Sequence, residues 1–431
     1  MSYEEKMTID EIRKYLHKIQ PIYRRASKKE KGRLLDEMET VTKLHRKHLI
    51  RLITGQLRRK RREKQRGRVY GIDVDDAIRV IARSLDYPCA ERLKGSLVWI
   101  AEHLSQHGEI ILTARLKEQL HNISQSTLRR TLQRVVDKQE KIAHSSGPRQ
   151  RKVKRVAREV LVRTIPWQEE QPGHFEVDLV HHSEDPSGGQ YAHTIQMLDV
   201  ATGWSECAAV LGRSYVAVRD GFERICARLP FAVLEVHSDN GSEFLNDHLL
   251  RFWKEKVSGV QLSRGRPFKK NDNRFVEENN HSLVRAYAGY GRLDTVAHIH
   301  LLNQLYEHLW WYHNFFQPVM HLTGKRVVQL SDGHTSIRRV YDQARPPFER
   351  VSDSGVIPPT RYANLYASRS AINPLVMRQE IETLIQRLYA LPKARQDTPQ
   401  NVYESLFKPI LHKKGEDLSV ALSFDSISTV R

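Results

Sequence analysis

The segment 231–244 constrains the fold of this chain more than any other. It begins with Phe231-Ala-Val-Leu-Glu-Val236, an apolar and β-branched run that predicts a strand buried in a sheet. Asp239 ends this strand, and Asn240-Gly241 predicts a turn directly after it, before a helical pattern over 244–256. The carboxyl end of a buried strand is where α/β folds place their chemistry. Taken alone, Asp239 is better explained as a turn residue that caps the next helix than as a catalytic residue.

Charge divides the chain into two parts. Residues 1–170 contain 40 Lys and Arg against 22 Asp and Glu, so 18 of the net charge of +19 lie there. This asymmetry predicts a nucleic-acid-binding front part joined to a chemically different remainder, and a length of 431 residues allows two to four domains. No apolar run reaches the roughly 18 residues of a membrane span, and the start is polar, so we expect a protein of the cell interior without membrane contact.

Residues 1–55 are predicted to form a helix-turn-helix DNA-binding domain. Apolar residues at helical spacing indicate a helix over 8–26, and Ser27 can cap a second one. After a break at 40–43, the basic helix 44–53 would turn Arg46, Lys47 and His48 toward a DNA groove. A helical bundle with a solvated basic face is the alternative.

Residues 56–73 are predicted to form a basic arm. Eight basic residues and one acidic residue lie between 56 and 68, and such a run cannot bury itself. We expect it to lie over DNA phosphates, which is compatible with a flexible linker. The predicted phosphate contacts are Arg58, Arg59, Arg61 and Arg62.

Residues 74–137 are predicted to form a second helix-turn-helix domain, and residues 138–171 a basic linker. Helical patterns cover 75–85, 89–104 and 112–120, and Ser124 can cap a recognition helix that runs to Val135. Plain bundle packing is the alternative for this last helix. The side chains predicted to face DNA are Thr127, Arg129, Arg130 and Gln133.

Residues 172–317 are predicted to form an α/β core with a mixed five-stranded sheet and helices, behind the all-α modules. The patterns indicate an antiparallel meander, a helix, two more strands, a basic loop over 263–273 and two helices. The predicted strands are 173–181, 190–200, 204–211, 231–236 and 257–262, and the predicted helices are 215–229, 244–256, 275–287 and one ending near Phe316. For 318–431 no role is assigned; we expect extended segments at the prolines of 345–347 and 357–359 and a helix over 374–388.

Three acidic residues stand out: Asp178 within the first core strand, Asp239 at the end of the fourth, and Glu277 on the helix after the basic loop. The first and fourth strands lie side by side in such a sheet, so Asp178 and Asp239 can meet. Three carboxylates can hold two Mg²⁺ ions about 4 Å apart, which suits phosphoryl transfer. Each acid alone fits a structural role, but the set predicts a metal site.

Basic residues around this site are predicted to contact DNA. Glu277 would share a helix face with His281 and Arg285, at spacings of four and eight residues. The basic loop precedes that helix, and its glycine and proline residues suggest a segment that becomes ordered when DNA binds. The predicted contacts are Arg264, Arg266, Lys269, Lys270, His281 and Arg285.

Val177-Asp178-Leu179, the block 237–244 and Asn271–Glu277 with Asn280 resemble the Asp-Asp-Glu core of retroviral-integrase-type transposases of bacterial insertion sequences. The resemblance covers about 172–317 and implies an RNase H-like fold and Mg²⁺-dependent cleavage and joining of transposon ends, with Mn²⁺ able to substitute. It further implies double-stranded DNA as partner, a homo-oligomer on DNA, and a nucleoid-associated protein of the prokaryotic cytoplasm. The implied metal ligands and catalytic residues are Asp178, Asp239 and Glu277.

The chain also departs from that family. The 37 residues between Asp239 and Glu277 slightly exceed the usual spacing, and His281 stands where retroviral integrases have a lysine. The neighbouring acids Glu278, Asp199 and Glu243 are not assigned to the site. Two other functions stay open: a DNA-binding regulator with an inactive core, and an RNase H-type nuclease that cuts RNA–DNA hybrids.

Overall fold

The structure is a computed structural model. It describes residues 7–55, 57, 69–135, 141–142, 161–162, 169–183, 189–238, 252–253, 256–257, 259–265, 276, 280–329, 335–394 and 400–407. The chain divides into two compact units, Met1–Val69 and Tyr70–Arg431. Within the described ranges, no helix combines the length and the apolar character needed to cross a membrane.

The first unit contains three helices: α1 (Ile9–Arg25), α2 (Lys28–Thr42) and α3 (Arg46–Thr54). The predicted helices are confirmed, although α3 begins two residues later than expected. Lys43 takes a left-handed conformation and His45 becomes the N-cap, so the turn between α2 and α3 extends through these residues. The helices enclose a small core of their own, formed by Leu16, Tyr23, Leu35, Met38, Leu49, Ile53 and Leu57.

The second unit begins with four helices: α4 (Ile72–Ser84), α5 (Ala90–Gln106), α6 (Ala114–Asn122) and α7 (Gln125–Val135). As predicted, the Ser124 hydroxyl caps α7 by accepting the Thr127 N–H at 3.2 Å, and Leu128 and Leu132 are buried. The buried side chains of these helices belong to the same hydrophobic cluster as those of the sheet. Their role in reading DNA stays a prediction.

The sheet contains β1 (Leu161–Val162), β2 (His174–His181), β3 (Ala192–Asp199), β4 (Ser205–Leu211), β5 (Glu235–Ser238) and β6 (Gln261–Arg264). Its strand order is β1-β6-β5-β2-β3-β4. Strands β2 to β4 form the predicted antiparallel meander, and β5 and β6 run parallel to β2. This mixed five-stranded arrangement is compatible with an RNase H-like core. The short β1, from the segment predicted as a linker, adds a sixth strand parallel to β6.

Two strand predictions were displaced along the chain. β5 begins at Glu235 and not at Phe231, because the N–H groups of Leu234 and Glu235 both donate to the Gly173 carbonyl and the ladder with β2 starts only there. β6 begins at Gln261 and not at Val257, whose N–H donates to the Trp253 carbonyl at 3.0 Å in a helical pattern. A distant carbonyl limits the start of β5, whereas a local helical contact limits the start of β6.

Helices α8 (Tyr215–Arg228), α9 and α10 (Val296–Trp311) also pack around the sheet. Helix α9 is a π-helical segment, Asn280–Arg285, followed by the α-helical turn Ala286–Ala288, and α10 continues into a π-helical segment, Tyr312–Phe316. Helix α10 and the π-helical segment after it cover the edge strand β4. The Asn303 and Asn314 amides each bond both the N–H and the C=O of one β4 residue, Ala209 and Ser205, at 2.9 Å. Such cover keeps an edge strand from pairing with another chain.

The C-terminal region contains a two-stranded ribbon, β7 (Leu322–Gln329) and β8 (Thr335–Tyr341), and the helices α11 (Pro347–Asp353), α12 (Pro359–Ala371) and α13 (Pro374–Ala390). The predicted terminal helix is confirmed. The expected extended segments at the two proline pairs were wrong, because in each pair the second proline opens a helix. Proline is favoured at that position, since its missing N–H would have no partner there.

Candidate active site

Asp178 lies in the fourth-to-last position of β2, at the centre of the sheet. Its Oδ1 accepts the N–H of Leu179 at 2.8 Å, and its Oδ2 accepts the amide of Asn280 at 2.5 Å. The side chain is half-buried. In the ladder, Asp178 lies opposite Gln196 of β3. Asp178 is therefore held between its own strand and helix α9, which follows it by about a hundred residues in the chain.

Asp239 lies outside the described residues, directly after the end of β5. The last pair of the parallel β2–β5 ladder is Val177 with Ser238, and the next residue along each strand is Asp178 and Asp239 respectively. The Ser238 carbonyl accepts the Gly265 N–H at 3.0 Å, so the ladder with β6 extends to the same point. The described ladder therefore pairs the residues that directly precede Asp178 and Asp239 in the sequence. The proximity of the two acids themselves stays a prediction.

Glu277 and Glu278 also lie outside the described residues, but residues on both sides of them are described. The Val276 N–H donates to the Glu176 carboxylate at 3.0 Å, and Val276 is fully buried. Asn280 donates to Asp178, as above. Residues 176 and 178 are two apart on one strand and therefore share a face of the sheet. Both ends of this short segment are tied to the same face of β2.

Arg285 is engaged within the unit. Its guanidinium donates to the carbonyl of His181 at 2.5 Å and to that of Gly289 at 3.3 Å, and it stacks over the Tyr290 ring. Burial lowers the pKa of Arg285, an effect opposed by Tyr290, Tyr306 and Asp178. The predicted spacing of Glu277, His281 and Arg285 assumed an α-helix, whereas residues 280–285 are π-helical with more residues per turn. Contacts of His281 and Arg285 with DNA stay predictions.

A buried polar network that we did not predict lies on the Asp178 face of the sheet. Glu235 accepts from His174 at 2.9 Å and from the Ser263 hydroxyl at 2.5 Å, and Ser263 contacts His237 at 2.8 Å. The ladder sets His174 beside Glu235, Glu176 beside His237, and His237 beside Ser263. The sequence does carry a signal for it, since polar residues alternate at 174, 176 and 178 and again at 235, 237 and 239.

Asp199, which we did not assign to the site, has a structural role. Its carboxylate is fully buried and accepts the Gly173 N–H at 2.7 Å, the Thr202 N–H at 2.9 Å and the Thr202 hydroxyl at 2.6 Å. Burial raises the pKa of Asp199 to about 6, which these hydrogen bonds oppose. It closes the turn after β3. Glu243 lies outside the described residues.

The predicted DNA contacts of the second unit's helical part lie on the outer side of α7. Arg129, Arg130 and Gln133 are exposed and Thr127 is half-buried. Arg129 forms an ion pair with Glu91, and Arg130 bonds the Thr127 hydroxyl at 3.3 Å. Arg264 ends β6 and is half-buried, and the other predicted loop contacts, Arg266, Lys269 and Lys270, lie outside the described residues.

In the first unit, Lys47 is exposed on α3 and Arg46 forms an ion pair with Asp36 of α2. Arg46 also donates to the Gly32 carbonyl at 3.2 Å, so it contributes to the packing of α3 on α2. His48, at the next position, is half-buried and contacts Arg51. The arginines predicted for the basic arm, Arg58, Arg59, Arg61 and Arg62, lie outside the described residues.

Among the residues that the structure describes, no group of three or more His, Cys, Asp or Glu side chains could hold a metal ion. Two of the three predicted ligands, Asp239 and Glu277, are not among those residues. The described part of the site therefore contributes one predicted ligand, Asp178, with the contacts that orient it. Its metal-binding role stays a prediction.

No model of a known protein family matches this chain. The "Uncharacterized protein y4rM" of Sinorhizobium fredii (strain NBRC 101917 / NGR234) is 32% identical to it over 336 residues, which cover 77% of this chain and 92% of that protein. Among solved structures, the catalytic core domain of BIV integrase is similar to 27% of this chain over 72% of its own length, at 19% identity and a TM-score of 0.22. The strand order of the sheet, and not this similarity, supports the fold described above.

Proposed function

We propose that this chain, which belongs to the same family as y4rM of Sinorhizobium fredii, is a transposase of the Asp-Asp-Glu type. It would bind the ends of a mobile DNA element, cleave them, and join them to target DNA. The substrate is double-stranded DNA, and the pairing of two ends requires a homo-oligomer on DNA. Residues 1–55 and 74–137 would hold the ends, and the sheet with α9 would carry the reaction.

One observation carries this proposal: the contact between Asn280 and Asp178. Together with the bond from Val276 to Glu176, it fastens the residues on both sides of Glu277 to the strand that bears Asp178. Burying polar groups costs free energy unless they are paired, and here the pairing joins the helix to the carboxylate of the strand. The arrangement supports a site in which the acid of the helix and the acid of the strand act together.

The donor set fits Mg²⁺, or Mn²⁺ in its place. Asp178, Asp239 and Glu277 offer only carboxylate oxygens, which are the ligands that hard divalent cations prefer. Two such ions, when bound, stabilise the attacking and leaving oxygens of phosphoryl transfer.

Residues of this chain orient the Asp178 carboxylate and form a buried hydrogen-bonded layer on the same face of the sheet. Asn280 and the Leu179 N–H set the rotation of the Asp178 carboxylate. Beneath it, Glu235 and His237 are fully buried and hydrogen-bonded through Ser263. Buried hydrogen bonds that join three strands in this way restrain the sheet where the acid must keep its position. Residues that position a reactive group contribute to rate because small displacements are costly.

Cleavage of supercoiled plasmid carrying the element ends, in Mg²⁺ and in Mn²⁺, tests the proposal. Asp178→Asn, Asp239→Asn and Glu277→Gln should each reduce cleavage about a thousand-fold, since a lost ligand removes several kcal/mol of transition-state stabilisation. Asn280→Ala should reduce the turnover rate by roughly 10- to 100-fold, as a lost supporting contact does, while affinity for end DNA stays unchanged.

Glu278→Gln is the matched control, because it removes the same charge one residue away. A position rotated about 100° around a helix cannot share the site, so this variant should stay active within a few-fold. Wild-type chain that binds end DNA but cleaves nothing in either metal would favour the regulator with an inactive core. Cleavage of RNA–DNA hybrids in preference to duplex ends would favour the nuclease.

A further inference from the structure

The ribbon of β7 and β8 is separate from the main sheet and strongly basic. Its two strands contain Lys325, Arg326, Arg338 and Arg339 and no acidic residue. In the ladder, Lys325 lies opposite Arg339, and Arg326 lies opposite Arg338. Basic residues therefore face basic residues at two consecutive positions. We call these two strands the basic ribbon.

This arrangement is unfavourable in isolation. Like charges directly opposite each other destabilise an antiparallel pair, and a lone two-stranded ribbon has marginal stability in water. Arg326 and Arg339 are exposed, and neither forms an ion pair with any residue that the structure describes. Val327 beside them is 69% exposed, so this part of the ribbon presents no apolar stripe to a core.

The base of the basic ribbon, in contrast, is held firmly. The buried Arg350 of α11 bonds the Asp342 carboxylate at 2.5 Å and the Val319 carbonyl at 3.0 Å, one on each side of the ribbon. Asp342 also accepts the His321 N–H at 2.7 Å. The two chain segments that enter and leave the ribbon are thus joined at one guanidinium. The basic pairs lie directly beyond this firmly held base, in the middle of the ribbon, so their position relative to the rest of the unit is fixed.

We infer that the basic ribbon binds duplex DNA through its phosphate backbone. The register sets four basic residues in two consecutive pairs of one short ribbon, which favours a polyanion as partner, and a two-stranded ribbon has the width that a DNA major groove admits. This inference rests on the proposed function only for the choice of DNA as the polyanion. It adds a DNA contact after the catalytic core, where the sequence pattern indicated none.

The salt dependence of DNA binding by the full chain tests this inference. The probe is a labelled duplex of arbitrary sequence, and its affinity is measured by fluorescence anisotropy between about 0.05 and 0.2 M monovalent salt. Arg326→Gln with Arg339→Gln should lower the slope of log K against log salt by roughly 2, and weaken binding by roughly 10- to 60-fold at 0.1 M salt, because each neutralised phosphate contributes about 0.9 to that slope.

Two matched double variants control for charge and for folding. Arg326→Lys with Arg339→Lys keeps both charges and should bind within a few-fold of the wild type. Arg219→Gln with Arg387→Gln removes two exposed arginines from α8 and α13, and should leave the salt slope of the wild type unchanged. No variant should unfold at an appreciably lower temperature than the wild type, since the changed side chains are exposed.

An unchanged salt slope in the Arg326→Gln, Arg339→Gln variant would overturn the inference. The inference would also fail if this variant lost affinity for single-stranded RNA of equal charge but kept its affinity for duplex DNA. Both outcomes are independent of cleavage. If the wild type cleaves and Asp178→Asn does not, while the ribbon variant binds normally, the inference fails and the proposed function stands. If neither the wild type nor any variant cleaves DNA but the ribbon variant shows a reduced salt slope, the inference stands and the proposed function fails.

Discussion

Helices α1 to α3 and helices α4 to α7 differ in what holds them in place. Both α1 and α2 begin with a capping box, in which Thr8 and Ser27 exchange hydrogen bonds with Glu11 and Glu30. The first helices of the other group, α4 and α5, begin without a side-chain cap. The first group therefore depends on local contacts along its own sequence and on a small core.

The second group depends instead on distant parts of the chain. Arg378 of α13 is buried and forms an ion pair with the buried Asp86 after α4, at 3.2 Å. His103 of α5 contacts the carbonyl of Ile372 at 2.8 Å, and Tyr312 donates to the Ser84 carbonyl at 2.8 Å. Two stretches with similar helical patterns thus form a bundle with its own core in one case and a part of a larger core in the other.

The largest expected effect comes from Arg378→Ala. It leaves Asp86 buried without its ion-pair partner, which should cost about 3–5 kcal/mol of unfolding free energy in the second unit. Arg387→Ala, on the exposed side of the same helix, should change it by less than about 0.5 kcal/mol. All six tryptophans lie after residue 98, so urea unfolding followed by tryptophan fluorescence reports on this unit. Equal small losses in both variants would contradict the dependence on α13.

The next effect is a loss of stability in acid. Burial lowers the pKa of His313 from 6.5 to about 4 and lowers that of His103 as well. The unfolded chain binds these protons near pH 6.5 and the folded chain does not, so stability is present above that pH and falls as pH decreases toward 4. The loss should reach up to about 3 kcal/mol for His313.

The variant His103→Gln sharpens this test. Glutamine can still donate to the Ile372 carbonyl but does not titrate, so the variant should lose less stability between pH 6.5 and 4.5 than the wild type does. Unfolding midpoints in urea, measured at several pH values in this window, give the two slopes. Parallel slopes would show that His103 does not contribute to the acid sensitivity of α5 and its partners.

The smallest expected effect is Ser27→Ala in the first unit. The loss of the cap of α2 should cost about 1 kcal/mol in α1 to α3 and leave tryptophan-detected unfolding of the second unit unchanged. Ser370→Ala, on the exposed side of α12, removes a hydroxyl of the same size that caps no helix, and should have no effect on the first unit. Circular dichroism would follow the first unit. A shift in the tryptophan signal with Ser27→Ala would show that the two units are coupled.

Much of the fold follows from local patterns. The meander β2 to β4, the helices with Ser or Thr caps and the terminal helix α13 were all predicted, because alternation, helical spacing and capping are properties of neighbouring residues. The predictions that were wrong concern competition with distant groups. Phe231–Leu234 reads as a strand, but the Gly173 carbonyl takes the first N–H groups, and pairing begins only at Glu235.

For the candidate site, the sequence by itself determined which residue types are present and on which elements they lie: an acid within one strand, one after another strand, and one on a later helix. Only the tertiary structure decided that Asn280 contacts Asp178 across 102 residues and that Val276 contacts Glu176 across 100. It also decided that alternating polar residues of three strands form one buried network. The physical reason is that a hydrogen bond needs both partners within about 3 Å, and for these pairs only the packing of α9 on the sheet sets that distance.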